Sequence, residues 1–280
     1  MRLEPQPAYH LKLTDRANDN ADRIGLSPRP IGSQTHWKGI SMKLLNTTAL
    51  ARTSALAGSA ALALLASAGA ASAQDVAVTA NVAVTSDYVF RGYSQSNEDP
   101  AVQAGVDVTV GSSFYAGVWA SNVDFGDNTE AEIDIYGGFR GETKGYNWDV
   151  GLVTYLYAPG ANQEYDYAEL KVAASRTIGP VTAGAAVYFS PDFFGADKEA
   201  TYGEVNAAYA TSITGLSLSG AVGKQWLSVS TDYTTWNLGG TYAFAGTPLS
   251  LDVRYSDTDI DSPAVPTSDG RIYATLKATF

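Results

Sequence analysis

The chain ends in RIYATLKATF (Arg271–Phe280), where apolar side chains take every second position: Ile272, Ala274, Leu276, Ala278 and Phe280 on one face, with Tyr273, Thr275, Lys277 and Thr279 on the other. A period of two is that of a β-strand with one apolar and one polar face. The strand closes the chain on an aromatic residue.

Working outward from this segment, similar alternation marks stretches near residues 248–257, 233–244, 215–226, 200–211, 180–189, 164–176, 146–157, 130–140, 113–122, 101–110 and 76–90. With the last strand this makes twelve, an even number that returns both ends of the domain to one side. The connections alternate in length. The short ones are Gly111 to Ser113, Gly141 to Gly145, Thr177 to Gly179, Ser212 to Thr214 and Ala245 to Thr247; the long ones are Gln95 to Pro100, Val123 to Thr129, Pro159 to Gln163, Ser190 to Glu199, Leu227 to Asp232 and Asp257 to Asp269. Short turns on one side and long loops on the other predict an all-β, antiparallel transmembrane β-barrel rather than a sandwich, which has no reason to sort its loops by length.

The period of two also predicts facing. Val102, Ala104, Val106 and Val108, Ile133 and Ile135, Val150 and Leu152, Ala168, Leu170 and Val172, Val181, Ala183, Ala185 and Val187, and Leu249, Leu251 and Val253 are expected to meet lipid. Aromatics near segment ends (Tyr88, Phe90, Phe114, Trp148, Trp226, Trp236, Tyr242, Phe244, Tyr255 and Phe280) are expected in girdles at the two interfaces. The complementary face carries charge at strand centres, which requires water or paired charges, so a hydrated lumen is expected. Its candidate channel-lining residues are Arg91, Asp107, Glu132, Asp134, Asp149, Glu169, Lys171, Glu204, Asp252 and Arg254.

Several stretches in order resemble a family of predicted bacterial outer-membrane porins, called TorF type and also Gcw_chp. They are SDYVFRGYSQS (Ser86–Ser96), FYAGVWASNVDF (Phe114–Phe125), the Glu132 to Gly138 stretch, YDYAEL (Tyr165–Leu170), YFSPDFFG (Tyr188–Gly195) and the SDTDID segment. The resemblance implies an envelope barrel acting as a porin, and it brings no catalytic residues with it.

The N-terminal part reads differently. From Met42 the chain has a basic start at Lys43 and Arg52, an apolar run over Ala55–Ala68 and the small residues Ala71, Ser72 and Ala73. This pattern predicts a signal peptide over 42–73, cleaved between Ala73 and Gln74, because the apolar run is too short to span a bilayer. Residues 1–41 lack apolar periodicity and are expected to be a mis-assigned start or a disordered extension. The domain expectation is therefore a barrel over 74–280, located in the bacterial outer membrane.

From Gln74 onward the chain has 10 basic residues against 25 acidic ones, a net of −15. No nucleic-acid partner is expected, for electrostatic reasons, and cations in transit suit the charge better. There is no cysteine, which excludes thiol chemistry and disulfides, and both histidines (His10 and His36) precede the barrel, which excludes histidine-dependent hydrolysis there. Glu132 and Asp134 share a strand face and could in principle serve glycoside hydrolysis, but paired carboxylates in a lumen are more often a solvated wall. Asp257, Asp259 and Asp261 alternate like calcium-loop ligands, yet Ser262 stands where the turn glycine is needed and Ser268 where the bidentate Glu is needed. Neither an enzyme, a metal site nor a cofactor is expected.

Arg91 is expected to face inward, as a salt-bridge strut to an acid such as Asp134 or as a solute contact. The predicted function is passive diffusion of small solutes, with cations preferred. The alternative is a non-conducting binding or structural barrel acting through its loops. Expected partners are outer-membrane lipid, small solutes or ions, and the barrel-assembly machinery, which would read Phe280 as its signal.

Overall fold

A computed structural model of the chain describes residues 76–159, 165–263 and 265–280. The extension over 1–41, the signal peptide over 42–73 and the cleavage residues Ala73 and Gln74 lie outside the described residues. The strands are β1 (Val76–Thr85), β2 (Val89–Phe90), β3 (Tyr93–Ser94), β4 (Ala101–Val110), β5 (Phe114–Asn122), β6 (Ala131–Thr143), β7 (Tyr146–Ala158), β8 (Tyr167–Ile178), β9 (Val181–Ser190), β10 (Ala200–Ala210), β11 (Leu216–Leu227), β12 (Tyr233–Ala243), β13 (Leu249–Thr258) and β14 (Arg271–Thr279). Twelve of them close into one antiparallel barrel in the order β1-β14-β13-β12-β11-β10-β9-β8-β7-β6-β5-β4, and β2 and β3 form a separate two-stranded hairpin.

Closure is made at β1. Its residues pair with β4 from Val76↔Val110 to Thr85↔Ala101, and with β14 from Asn81↔Thr279 to Thr85↔Thr275. Phe280 extends that second ladder: its N–H donates to the Ala80 carbonyl at 2.8 Å, and its carbonyl accepts the Ala80 N–H at 3.1 Å. A closed ladder leaves no strand edge with unpaired backbone groups, the condition for strands to cross hydrocarbon.

The alternation sorts side chains as a membrane barrel needs. Val102, Val106, Ile135, Val150, Leu152, Leu170, Val172, Val181, Val187, Leu249 and Val253 all stand exposed on the outer face. Phe114, Trp148, Trp226, Tyr242, Phe244, Tyr255 and Phe280 are exposed large side chains as well. An apolar outer surface wrapped around the whole molecule is costly in water and matched in lipid.

Two expectations need correction. The turn expected over Gly141 to Gly145 contains only residues 144 and 145, because β6 continues to Thr143, which pairs with Tyr146. Gly141 is a wall residue opposite Trp148, and a Cβ there would lie 2.7 Å from Cζ2 of the indole. The second concerns residues 76–90, expected to be one strand. The strand stops at Thr85, whose hydroxyl donates to the Asp87 carbonyl at 2.7 Å, and the chain then turns into the barrel. Tyr88 and Phe90 are consequently inside the lumen and not in an interfacial girdle. Over so few residues, a strand in the wall and a hairpin inside it alternate alike.

The packed core also lies inside, at the long-loop end. Tyr155, Tyr157, Tyr165, Tyr167, Phe193 and Phe194 form a buried cluster, against which Phe90 and Phe125 pack. Tyr155 and Tyr167 stack with ring centroids 4.4 Å apart. The YDYAEL and YFSPDFFG stretches supply four of these rings.

Because Phe280 supplies the last hydrogen bonds of the closing seam, deleting it should lower the yield of folded, heat-modifiable protein in membranes well below that obtained on deleting Pro263 from a loop. Equal yields of the two variants would mean that the C-terminal residue has no part in closing the barrel.

Candidate functional site

The lumen is organised around residues 86–96. Asp87 fixes the base of this segment: its Oδ1 accepts the hydroxyls of Ser94 at 2.6 Å and Ser96 at 3.2 Å, and its Oδ2 accepts Arg271 Nη1 at 3.1 Å. The backbone closes over it, with the Gln95 N–H donating to the Tyr88 carbonyl at 2.6 Å. At the tip, Arg91 and Gly92 have φ of 48° and 88°, the left-handed values that a tight hairpin requires. Gly92 also needs to be small, since a Cβ there would lie 2.8 Å from Oγ1 of Thr235 on β12.

This geometry carries Arg91 across the barrel. The ring order puts β8, β9 and β10 on the wall opposite the seam from which the hairpin leaves. Arg91 Nη1 and Nη2 donate to the two carboxylate oxygens of Glu169 on β8 at 2.8 and 2.6 Å, and Nη1 also donates to Gln225 Oε1 on β11 at 3.1 Å. Its guanidinium lies 4.7, 5.0 and 4.3 Å from the ring centroids of Phe90, Tyr188 and Tyr202. The two ionised side chains are 6% and 1% exposed. Arg91 is thus a strut, as one of the two expectations had it, but its partner is Glu169 and not Asp134.

Glu132, with Asp134 beside it on the same strand face, lies under the root of the hairpin. Tyr88 donates its phenol to Glu132 Oε1 at 2.8 Å and packs edge-on against Trp119 at 5.3 Å. Burial first, and then the charge of Glu132, push the Tyr88 phenol well above its ordinary range, so it stays a donor. Glu132 is buried, 2% exposed.

The remaining lumen charges fall into two kinds. Asp149 pairs with Lys171 at 3.2 Å, and Asp252 pairs with Arg254 at 3.1 Å, with Arg254 also donating to Ser219 Oγ and Asn237 Oδ1 at 2.9 and 2.7 Å. Asp107 and Glu204 are held instead by neutral donors: Tyr136 to Asp107 at 2.6 Å, and Tyr202 and Asn206 to Glu204 at 3.0 Å each. In the long-loop region, Asp257 accepts Tyr255 at 2.6 Å and Asp259 accepts the Thr234 N–H at 2.6 Å, so both serve local loop geometry.

Between these groups the lumen holds space. A cavity of about 900 Å³ at the short-turn end is bordered by Ser112, Ser113, Arg140, Asp149, Lys171, Tyr188, Glu204 and Asn206. A second, of about 230 Å³, lies against the hairpin and is bordered by Phe90, Arg91, Tyr155, Tyr188, Tyr202, Glu204, Asn237 and Tyr273. The lumen tyrosines were missed by sequence reasoning that reserved aromatics for the outer girdles. Their signal was available in the strand parity: Tyr136 shares a face with Glu132 and Asp134, and Tyr202 with Glu204.

A model of the family described as "Bacterial protein of unknown function (Gcw_chp)" matches residues 67–280. No curated protein matches the chain. Among solved structures, a KdgM porin aligns with a TM-score of 0.50 at 6% identity, covering 72% of this chain and 99% of that one. The KdgM porin in complex with disordered oligogalacturonate aligns with a TM-score of 0.50 at 6% identity, covering 73% of this chain and 99% of that one. At these identities the likeness is one of fold, a porin-type antiparallel barrel.

The Arg91 clamp makes a direct prediction. Arg91→Ala leaves a buried carboxylate without its cation, a change worth about 3–5 kcal/mol, and should lower the temperature at which the folded gel band converts to the unfolded one. Arg91→Lys should recover only part of the loss, because an ammonium cannot engage both oxygens of Glu169 while stacking on the rings. An unchanged conversion temperature in Arg91→Ala would refute the strut.

Proposed function

The chain belongs to the Gcw_chp family, and from that premise and the chemistry of its lumen we propose that it is a bacterial outer-membrane channel for passive passage of small solutes, with cations preferred. In this reading the signal peptide is removed after Ala73, the barrel-assembly machinery inserts the remainder, and the exposed apolar face meets outer-membrane lipid. The observation that carries the reading is the pairing of an apolar exterior with a polar lumen containing a cavity of about 900 Å³. A soluble barrel would have the reverse polarity.

Cation preference is supported by the way lumen charges pair. Arg91, Lys171 and Arg254 are each engaged by one acid, Glu169, Asp149 and Asp252 respectively. Among the described residues, Asp107 and Glu204 then have no ion pair with a basic side chain, so the wall retains negative charge. In a narrow, low-dielectric tube such an excess enriches cations.

One observation favours the second reading, a non-conducting barrel that works through its loops. The hairpin spans the lumen and the aromatic cluster fills the long-loop end. Planar-bilayer recording separates the two readings. The channel reading expects a reversal potential on the cation side in a potassium chloride gradient, with the preference weakening between about 0.1 M and 1 M salt as the Debye length falls from about 10 to 3 Å. A chloride-side potential would overturn the cation preference, and absence of current from folded protein would favour the closed barrel.

A further inference from the structure

Glu204 occupies an unusual place in the lumen wall. Its register partners are Ala186 on β9 and Gly223 on β11, so neither neighbouring strand puts a large side chain directly opposite it. Among the described residues, only Tyr188 and Glu204 border both the cavity of about 900 Å³ at the short-turn end and the one of about 230 Å³ at the hairpin. The carboxylate therefore stands at the neck between the two spaces, on the inner side of the Arg91 strut.

Its orientation is built by neutral groups. The Tyr202 phenol donates to Oε2 and Asn206 Nδ2 donates to Oε1, each at 3.0 Å. Tyr202 can take this position because residue 223 is glycine: a Cβ there would lie 2.7 Å from Cε2 of the Tyr202 ring. Both oxygens are thus held in place while the negative charge is left uncancelled. Arg91 stacks 4.3 Å from the Tyr202 centroid but gives its guanidinium hydrogen bonds to Glu169 and Gln225. Asp149, on the wall of the larger cavity, is already bonded to Lys171.

We propose that Glu204 is the selectivity residue of the lumen, a carboxylate fixed at the neck that coordinates monovalent cations as they pass beneath the hairpin. The assignment rests on the channel reading and deepens it by locating the field at one side chain. Tyr188, which shares the neck, adds an aromatic face that also favours cations over anions. Tyr202 and Asn206 are positioning residues that act through Glu204.

The test is the ratio of potassium to chloride permeability, taken from reversal potentials of the full barrel in planar bilayers at about 0.1 M salt, where wall charges are least screened. Glu204→Gln should lower the ratio by about twofold or more, as expected when an acidic site in a cation pathway is neutralised. Glu204→Asp, which keeps the charge, should retain most of it. Glu199→Gln removes the same charge from the exposed loop between β9 and β10 and should leave the ratio near that of the wild type. Heat-modifiable gel migration checks that each variant is folded, and Glu204→Ser replaces Glu204→Gln if the latter fails to assemble. A wild-type ratio in the neutral Glu204 variant, or an equal fall in Glu199→Gln, overturns the assignment while leaving the channel reading standing. No current from folded wild-type protein overturns that reading and this one with it.

Discussion

The structure depends on closure of one hydrogen-bonded ring. Only because β1 pairs with both β4 and β14 does each barrel strand have a neighbour on both sides, and the seam is completed by the Phe280 backbone against Ala80. Once the ring is closed, the period of two becomes a partition of space: odd and even positions go to different solvents. Apolar side chains can then cover the exterior without an interior of equal apolarity, and the lumen is free to hold charge. The packed core of this protein accordingly lies inside the ring at the long-loop end and consists largely of tyrosine and phenylalanine.

Within that ring a second constraint acts across the lumen. Residues 86–96 are tied at their base through Asp87 and at their tip through Arg91. The tip contact is a bidentate, nearly inaccessible ion pair joining the hairpin to the far wall. Buried ion pairs of this kind contribute little net stability compared with an apolar replacement, but losing one partner is expensive, so they fix an arrangement more than they strengthen it. Here the arrangement fixed is the division of the lumen, with free volume toward the short turns and packed rings toward the long loops.

Much of this was legible in the sequence. Strand positions, the even count, the sorting of connections by length and the outward valine and leucine positions all follow from a period of two maintained over long segments. What was illegible has identifiable physical causes. Residues 86–90 alternate as a wall strand would, and nothing local distinguishes a strand that continues from one that turns inward at Thr85. The partner of Arg91 lies 78 residues away on the opposite wall, and parity gives facing without giving height or angular position. Lumen tyrosines were obscured by the strong tendency of aromatics to mark membrane interfaces, although Tyr136 and Tyr202 share a parity with charged neighbours. Gly141 had the appearance of a turn residue because the ring that lies over it, Trp148, comes from the neighbouring strand.

The lumen is wide toward the short turns and constricted on the long-loop side by the Arg91-pinned hairpin. Single-channel recording with neutral polymers of graded size, added to one side of the bilayer at a time, tests it most directly. Larger polymers should reduce the conductance when added on the short-turn side than on the long-loop side. Equal size cut-offs from the two sides, or the reverse asymmetry, would contradict the account.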